Sequence, residues 1–167
     1  AASCAGAESV TRAVAPVAKA AGVPLFVKVA PNVPNIGQIA ASAVEAGADG
    51  ITAINTMPGM VIDIESGKPI LTNKSGGLSG AAIKPIAVRC IYEIAQVCPG
   101  IPIIGTGGVM NGRDAIELVM AGATAVGVGT AVYENGPHVM AKIATEMEAW
   151  LTIHNTTLDA IRGISFR

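Results

Sequence analysis

Short apolar runs, each closed by glycine or a polar residue, alternate along the chain with longer segments in which apolar residues recur at helical spacing. The short runs predict buried parallel strands, and the longer segments predict the helices that connect them. Strands are predicted at 24–31, 50–56, 101–106 and 125–131. Helices are predicted at 7–21, from Asn35 to Gly47 with Gln38 placed for a capping box, from Pro85 to Cys98, at 112–121 and at 137–152.

The predicted strands are entered through similar joints, EAGADGI at 45–51 and MAGATAV at 120–126. A series of strands linked by helices favours a parallel sheet with right-handed crossovers. We therefore predict an α/β fold, the C-terminal half of a TIM (β/α)8 barrel with about four parallel βα units, in which 24–31 is the fifth strand. A whole barrel takes about 250 residues, so 1–167 is predicted to be one half-barrel domain. Its open strand edges would favour association.

The segment from 57 to 80 is too long for an ordinary connection between a strand and a helix. Met60, Ile62 and Ile64 alternate with other residues, and Ser66-Gly67 is a turn dipeptide. We predict a hairpin insertion laid over the strand ends, where long inserts usually serve a functional site. Asp63 and Glu65 are interpreted as exposed hairpin charges.

Two predicted strands end in glycine at neighbouring positions of the sheet. Gly107 and Gly108 follow one strand and precede a helix, and Gly129 and Thr130 end the next strand. Bare backbone N–H groups at the positive end of a helix dipole suit a phosphate. In an eight-stranded barrel this position follows the seventh and eighth strands, where phosphate sites are common. The sequence predicts a ligand that carries a phosphate.

Polar side chains at two other strand ends are candidates to bind the rest of that ligand. Lys28 is a lone charge in the strand PLFVKVAP, and it either faces an anionic ligand in the barrel mouth or reaches solvent. Asn55 and Thr56 can donate to and accept from a planar heterocycle, or they simply cap a turn. Gly76, Gly77 and Gly80 in SGGLSG allow close backbone approach, but they match no nucleotide-binding fingerprint.

The composition of the chain excludes some classes of binding partner. A net charge of −1 without a basic run argues against nucleic acid, and the uncharged stretch 118–133 is too short for a membrane span. No signal peptide pattern is present, and no metal-ligand spacing of cysteine occurs. We expect a small-molecule partner and a cytoplasmic location. Cys90 and Cys98 are interpreted as buried helix residues, and His138 and His154 as surface residues.

Five motifs in order carry a resemblance to a known family. They are VKVAPN at 27–32, INTMPGMVID at 54–63, SGGLSGAAIKPIAVR at 75–89, IIGTGGV at 103–109 and VGVGTA at 126–131. Together they resemble dihydroorotate dehydrogenase, and the Asn-Thr pair with its continuation is most similar to the class 1B, NAD-linked branch. The resemblance covers 24–152, which leaves a preceding helix in 1–23 and a C-terminal tail in 153–167.

The resemblance implies an FMN-containing (β/α)8 barrel that oxidises dihydroorotate to orotate in pyrimidine synthesis. By the same resemblance, Lys28 would contact flavin and substrate, where a cation stabilises the anionic reduced flavin. Asn55 and Thr56 would hydrogen-bond the orotate ring. The remaining residues implied to contact FMN are Ile54 and Gly80 along the flavin and Gly107, Gly108, Gly129 and Thr130 at the phosphate.

The chain departs from the family at the catalytic base, which in class 1 enzymes is a cysteine on a loop before the lysine strand. Cys4 precedes Lys28, but its neighbours AASCAGAE lack the family motif, so no catalytic residue is predicted here. Activity would require the missing N-terminal half-barrel or a second copy, and an iron-sulfur and FAD subunit is a possible electron-transfer partner. Two alternatives stay open: a non-catalytic FMN- or phosphate-binding half-barrel that self-associates, and a flavoenzyme similar to dihydropyrimidine dehydrogenase.

Overall fold

The computed structural model of the chain describes residues 3–167. Within them, eight strands and seven helices are formed. The strands are β1 (Phe26–Val29), β2 (Gly50–Ala53), β3 (Met57–Gly59), β4 (Ile62–Asp63), β5 (Lys68–Pro69), β6 (Gly76–Leu78), β7 (Ile103–Thr106) and β8 (Ala125–Gly127). The helices are α1 (Cys4–Ala20), α2 (Ile36–Glu45), α3 (Lys84–Val97), α4 (Gly112–Met120), α5 (Thr130–Asn135), α6 (Val139–Ile153) and α7 (Leu158–Ile161).

The main sheet confirms the predicted α/β architecture of a partial barrel. Its four strands lie in the order β1-β2-β7-β8, and every neighbouring pair is parallel. The strands are shorter than predicted. For β1 the reason is proline, because Pro24 and Pro31 lie just beyond its two ends and a proline cannot donate a ladder hydrogen bond.

Successive side chains of a strand point to opposite faces of the sheet, and the two faces of this sheet differ in burial. Val29, Ile51 and Ile103 are fully buried in the core, where Ile91 of α3 and Leu118 of α4 are also fully buried. The residues at alternate positions, represented by Lys28, Thr52 and Ile104, are exposed or half-buried. We call this second surface the open face. It corresponds to the inner face of a barrel.

The predicted hairpin insertion is confirmed and is longer than a single hairpin. Strands β3 and β6 pair antiparallel, and the shorter pair β4 and β5 lies beyond them, so 57–78 forms one projecting unit that we call the arm. Asp63 sits at its tip, where its carboxylate accepts hydrogen bonds from the Ser66 hydroxyl and the Glu65 N–H. The bond from Ser66 is the main cause of the lowered pKa of Asp63.

Several predicted details of the helices are wrong. The capping box at Asn35 does not form, because its ψ of 67° departs from the extended backbone (ψ 158° to 176°) of the residues whose side chains do cap helices, Ser3, Asn111 and Thr157. The strand predicted at 125–131 ends at Gly127, and Thr130 begins the unpredicted helix α5.

The C-terminal tail is also structured. After α7, a 3-10 turn at Ile164–Phe166 brings the Phe166 ring edge-on to Tyr92, with 5.5 Å between ring centroids. Ser165 donates a 2.7 Å hydrogen bond to the carbonyl of Met120 at the end of α4. In the part of the chain that the structure describes, no helix has the length and apolar character needed to cross a bilayer.

Candidate functional site

A cavity of about 210 Å³ lies where the four parallel strands end at their carboxyl edge. Strands β1, β7 and β8 contribute residues to it, as do Ile54 directly after β2 and the residues at the base of the arm. Its lining consists of Lys28, Ile54, Thr56, Ser79, Gly80, Ile83, Thr106, Gly107, Gly108, Val109, Gly127, Gly129 and Thr130. This is the edge at which α/β sheets bind their ligands.

The cavity brings together all but one of the residues that the sequence predicts for the site. Asn55 is the exception, because it lies just outside the lining and its side-chain oxygen accepts a 2.9 Å hydrogen bond from the Thr56 N–H. Lys28 lines the cavity but is exposed, because it belongs to the open face of the sheet. The cost of burying its charge therefore does not arise in this structure.

The turn at Gly107 and Gly108 packs tightly against its surroundings. Gly107 has a φ of +132° and Gly108 a φ of +77°, both in the region that favours glycine. A Cβ on Gly108 would lie 2.6 to 2.8 Å from the Cβ, N and Cα atoms of Lys84 at the start of α3. Among residues 3–167, neither glycine N–H meets a protein acceptor, so both remain available to a ligand.

The predicted use of a helix dipole at this turn is wrong. Helix α4 begins only at Gly112, and two of its first three N–H groups are already satisfied by the protein. The Asp114 N–H donates to the side-chain oxygen of Asn111 at 3.1 Å, and the Gly112 N–H donates to a carboxylate oxygen of Glu146 at 2.7 Å. A phosphate in the cavity would therefore depend on the glycine N–H groups of the turn.

The second predicted turn is open rather than packed. Gly129 has a φ of −115°, and a Cβ built on it would meet no atom within 4 Å. Thr130 is the first residue of α5 instead of the end of a strand, and its hydroxyl donates to the Ser79 hydroxyl at 3.3 Å. This contact joins the segment after β8 to the base of the arm.

Several lining residues were missed by the sequence analysis. Ser79 and Ile83 flank Gly80, whose φ of +85° precedes a 3-10 turn at Ala81–Ile83. The others are Thr106, Val109 and Gly127. Two of these five, Thr106 and Gly127, could have been found from their position at a strand end, the signal that led to Gly107 and Gly129.

Lys84, Asp114 and Glu117 form an ion cluster outside the cavity lining, next to the Gly107–Gly108 turn. The ammonium group of Lys84 lies 2.8 Å from a carboxylate oxygen of Asp114 and 2.7 Å from one of Glu117. The hydrogen bond to Asp114, followed by the one to Glu117, raises the pKa of Lys84 above its ordinary value. The cluster keeps Lys84 charged and directs its ammonium toward these two carboxylates.

The remaining candidate groups lie away from the cavity. Cys4 is the exposed first residue of α1 and does not line it. Cys90 and Cys98 are buried, as predicted, and burial raises the pKa of both thiols. His154 stacks on Trp150 with 3.9 Å between ring centroids. Among the described residues, no three His, Cys, Asp or Glu side chains are grouped to hold a metal ion.

Comparison with known proteins identifies similar sequences along most of the chain. A protein-family model described as dihydroorotate dehydrogenase matches residues 2–151. The catalytic subunit of dihydroorotate dehydrogenase B (NAD(+)) of Methanocaldococcus jannaschii is 48% identical over 149 residues, which cover 89% of this chain and 48% of the relative. The subunit of the same name in Bacillus pumilus is 52% identical over 141 residues, covering 84% and 44%. The chain spans about half the length of the curated relatives it matches.

Proposed function

The chain belongs to the dihydroorotate dehydrogenase family, and on this premise we propose that it forms the FMN-phosphate and flavin-contacting part of a class 1B enzyme. The reaction proposed is oxidation of dihydroorotate to orotate in pyrimidine synthesis. The observation that carries the proposal is the cavity at the carboxyl edge of the sheet, which is lined by Lys28 and by two glycines, Gly107 and Gly108, whose N–H groups meet no protein acceptor among residues 3–167.

The residues of the cavity fit the phosphate end of FMN. Gly107 and Gly108 offer N–H donors without an internal acceptor, and the Ser79 hydroxyl, which accepts from Thr130, keeps its own O–H to donate. Unpaired donors at a buried edge are costly unless a ligand or water satisfies them. The cavity extends from these turns to Lys28, so a ligand held by its phosphate would place its other end near the ammonium group.

When bound, FMN would supply the hydride acceptor of the reaction. The role proposed for this chain is to hold FMN and to stabilise the charge that develops on it. Lys28 provides a fixed positive charge at the carboxyl end of β1, which stabilises negative charge that develops nearby. Thr56 provides a hydroxyl on the same cavity wall, and Ile54 and Ile83 exclude water with apolar surface.

The proposed proton acceptor comes from outside this cavity. Of the lining residues that the structure describes, none is cysteine, histidine, aspartate or glutamate, so the lining itself provides no group suited to take the proton from dihydroorotate. The missing base is assigned, by family resemblance, to a cysteine of an N-terminal half-barrel. Asn55 keeps its proposed role as an orotate ligand at the rim, because it adjoins Thr56.

A partner for the open face is part of the proposal. Phe26, Lys28 and Ile104 on this face are exposed or half-buried, and Val10, Val14 and Val17 form an exposed stripe on α1. Both surfaces suit an N-terminal half-barrel, or a second copy of the chain. The relatives are named catalytic subunits, which supports a further subunit, for which an iron-sulfur and FAD protein is proposed. A cytoplasmic location agrees with three unpaired cysteines.

A self-associating half-barrel without turnover is the second candidate function. The exposed apolar surfaces of α1 and the arm favour it, since Ile64 is 87% exposed and Val17 is 68% exposed. Such a protein would bind FMN as a dimer and leave dihydroorotate unchanged.

The experiment that tests the proposal is an FMN titration of the 167-residue chain, followed by flavin fluorescence, with riboflavin as the control ligand that lacks phosphate. Dihydroorotate is added afterwards, and flavin absorbance is recorded. Tighter binding of FMN than of riboflavin supports the phosphate site, and bleaching supports turnover. Preference for FMN without bleaching is expected of both candidates, because the proposed base lies outside this cavity, and an FMN-bound dimer in size-exclusion chromatography then favours the second candidate. Equal binding of both flavins contradicts the phosphate site.

A further inference from the structure

We propose that Asp114 is a positioning residue for the phosphate-binding turn, because it holds 107–110 against the start of α3 and so keeps the glycine N–H groups aimed into the cavity. The inference rests on the proposed function, since it concerns the phosphate of that same site. Asp114 does not itself line the cavity, so its effect must pass through the turn and through Lys84.

The carboxylate of Asp114 ties two different segments together. One oxygen accepts a 2.8 Å hydrogen bond from the Lys84 ammonium group, and the other accepts a 3.0 Å hydrogen bond from the Met110 N–H. Lys84 begins α3, and Met110 lies two residues after Gly108. A single buried side chain thereby connects the end of the turn to the helix on which the turn packs.

The turn meets α3 at the same residue that Asp114 holds. A Cβ on Gly108 would lie within 2.8 Å of the backbone of Lys84, so the backbones are in close contact there. The side chain of Lys84 is fixed by its ion pair, and its backbone supports Gly108. A change at Asp114 would release both the Met110 N–H and the Lys84 side chain, and the turn would lose its fixed relation to α3.

The ammonium group of Lys84 limits the repulsion that the buried Asp114 carboxylate would exert on a nearby anion. Asp114 is only 9% exposed, and an uncompensated carboxylate at this depth would repel a phosphate. The ammonium group of Lys84 neutralises it, and the Glu117 carboxylate is the second charged group that faces this ammonium. Glu117 has an exposed side chain and makes no bond to the turn, which makes it a matched control.

The experiment measures the ratio of riboflavin to FMN dissociation constants in the 167-residue chain and three variants. For Asp114→Ala, which removes both hydrogen bonds, we expect the ratio to fall about tenfold or more. For Asp114→Asn, which has one acceptor oxygen left for two donors, we expect a smaller fall. For Glu117→Gln we expect the wild-type ratio within about twofold. Asp114→Asn keeps the side-chain volume, so a folding failure of the alanine variant leaves the test intact.

The outcomes separate this inference from the proposed function. If the wild-type chain binds FMN no more tightly than riboflavin, or binds neither flavin, the proposed phosphate site fails and the inference fails with it. If the wild-type chain prefers FMN and both Asp114 variants keep that preference, the inference is overturned while the proposed function stands. Equal weakening of both flavins in the variants would show a merely structural role and would also overturn it.

Discussion

The two glycine turns of the cavity have a similar pattern in the sequence and opposite environments in the structure. Gly108 has a positive φ and presses on the backbone of Lys84, whereas Gly129 has a negative φ and open space where a Cβ would lie. The first turn is therefore packed against the protein, whereas the second leaves open space at the cavity wall. A glycine after a strand indicates that another group comes close to its backbone. The sequence does not tell whether that group belongs to the protein or to a ligand.

The largest expected effect is a loss of stability on substitution of Gly108 in the first turn, and a control substitution separates the contribution of packing from that of backbone conformation. Gly108→Ala should lower the free energy of unfolding by about 3 kcal/mol, because its methyl group would overlap Lys84 and its φ is unfavourable. Urea denaturation measures the change. Gly100→Ala is the matched control, since its φ of +82° is similar and no atom lies within 4 Å. We expect a loss of about 1 kcal/mol there, and equal losses would contradict the packing argument.

The next effect concerns ligand access at the second turn. Gly129→Leu should leave the free energy of unfolding within about 0.5 kcal/mol, because open space surrounds the position. FMN affinity should fall about tenfold or more, a loss of about 1.4 kcal/mol, because the side chain occupies space beside the cavity. Fluorescence titration of this variant and of Gly129→Ala gives a graded series. Unchanged FMN affinity in the leucine variant would show that this turn does not meet the ligand.

The free energy of unfolding, measured as a function of pH, tests the contribution of Lys84, on which the first turn packs. Its folded pKa is raised above the ordinary 10.5 by hydrogen bonds from its ammonium to Asp114 and Glu117. The stabilisation is therefore complete below the unfolded pKa and is lost as pH rises through the folded pKa. Lys84→Met should cost about 1 kcal/mol near pH 8, with the difference from wild type shrinking as pH rises through the raised pKa of Lys84. Urea denaturation of both proteins measures it, and a difference that grows with pH would contradict the ion pair.

The smallest effect is expected where the second turn meets the arm. Ser79→Ala removes the acceptor of the 3.3 Å bond from Thr130, and the bond is exposed and long. The free energy of unfolding should change by less than about 0.5 kcal/mol. Amide hydrogen exchange at Leu78, which pairs with Met57 in the ladder, should become faster, because the base of the arm loses its contact with α5. Unchanged exchange would show that the arm is held independently of Thr130.

The sheet and its connecting helices could be predicted because their signals are local. Apolar runs closed by glycine gave the four strands, and helical spacing between them gave the crossovers. The arm could also be predicted from the sequence, since the Ser66-Gly67 turn lies between its two short outer strands. The strand ends were less accurate, because VGVGT has the composition of a strand although Thr130 begins a helix.

The site was predicted in part, for geometric reasons. Residues at the ends of neighbouring strands fall at the same edge of the sheet, so Gly107 and Gly129 could be placed together, whereas Ile54 came only from the family resemblance. Asn55 was grouped with Thr56 because the two adjoin in the sequence, yet Asn55 lies outside the lining and its side-chain oxygen accepts a hydrogen bond from the Thr56 N–H. The pair of Lys84 and Asp114 was not predicted, because 30 positions separate them and no local pattern records their contact.

The order of the strands in the sheet has a consequence for how the chain folds. Because β1, β2, β7 and β8 lie side by side in the order in which they occur, no strand must wait for a distant part of the chain before it finds its neighbour. Two of the three closures span a single βα unit, and only the closure from β2 to β7 also encloses the arm. Contact order rises at that step, which makes β2–β7 pairing the expected slow event of folding.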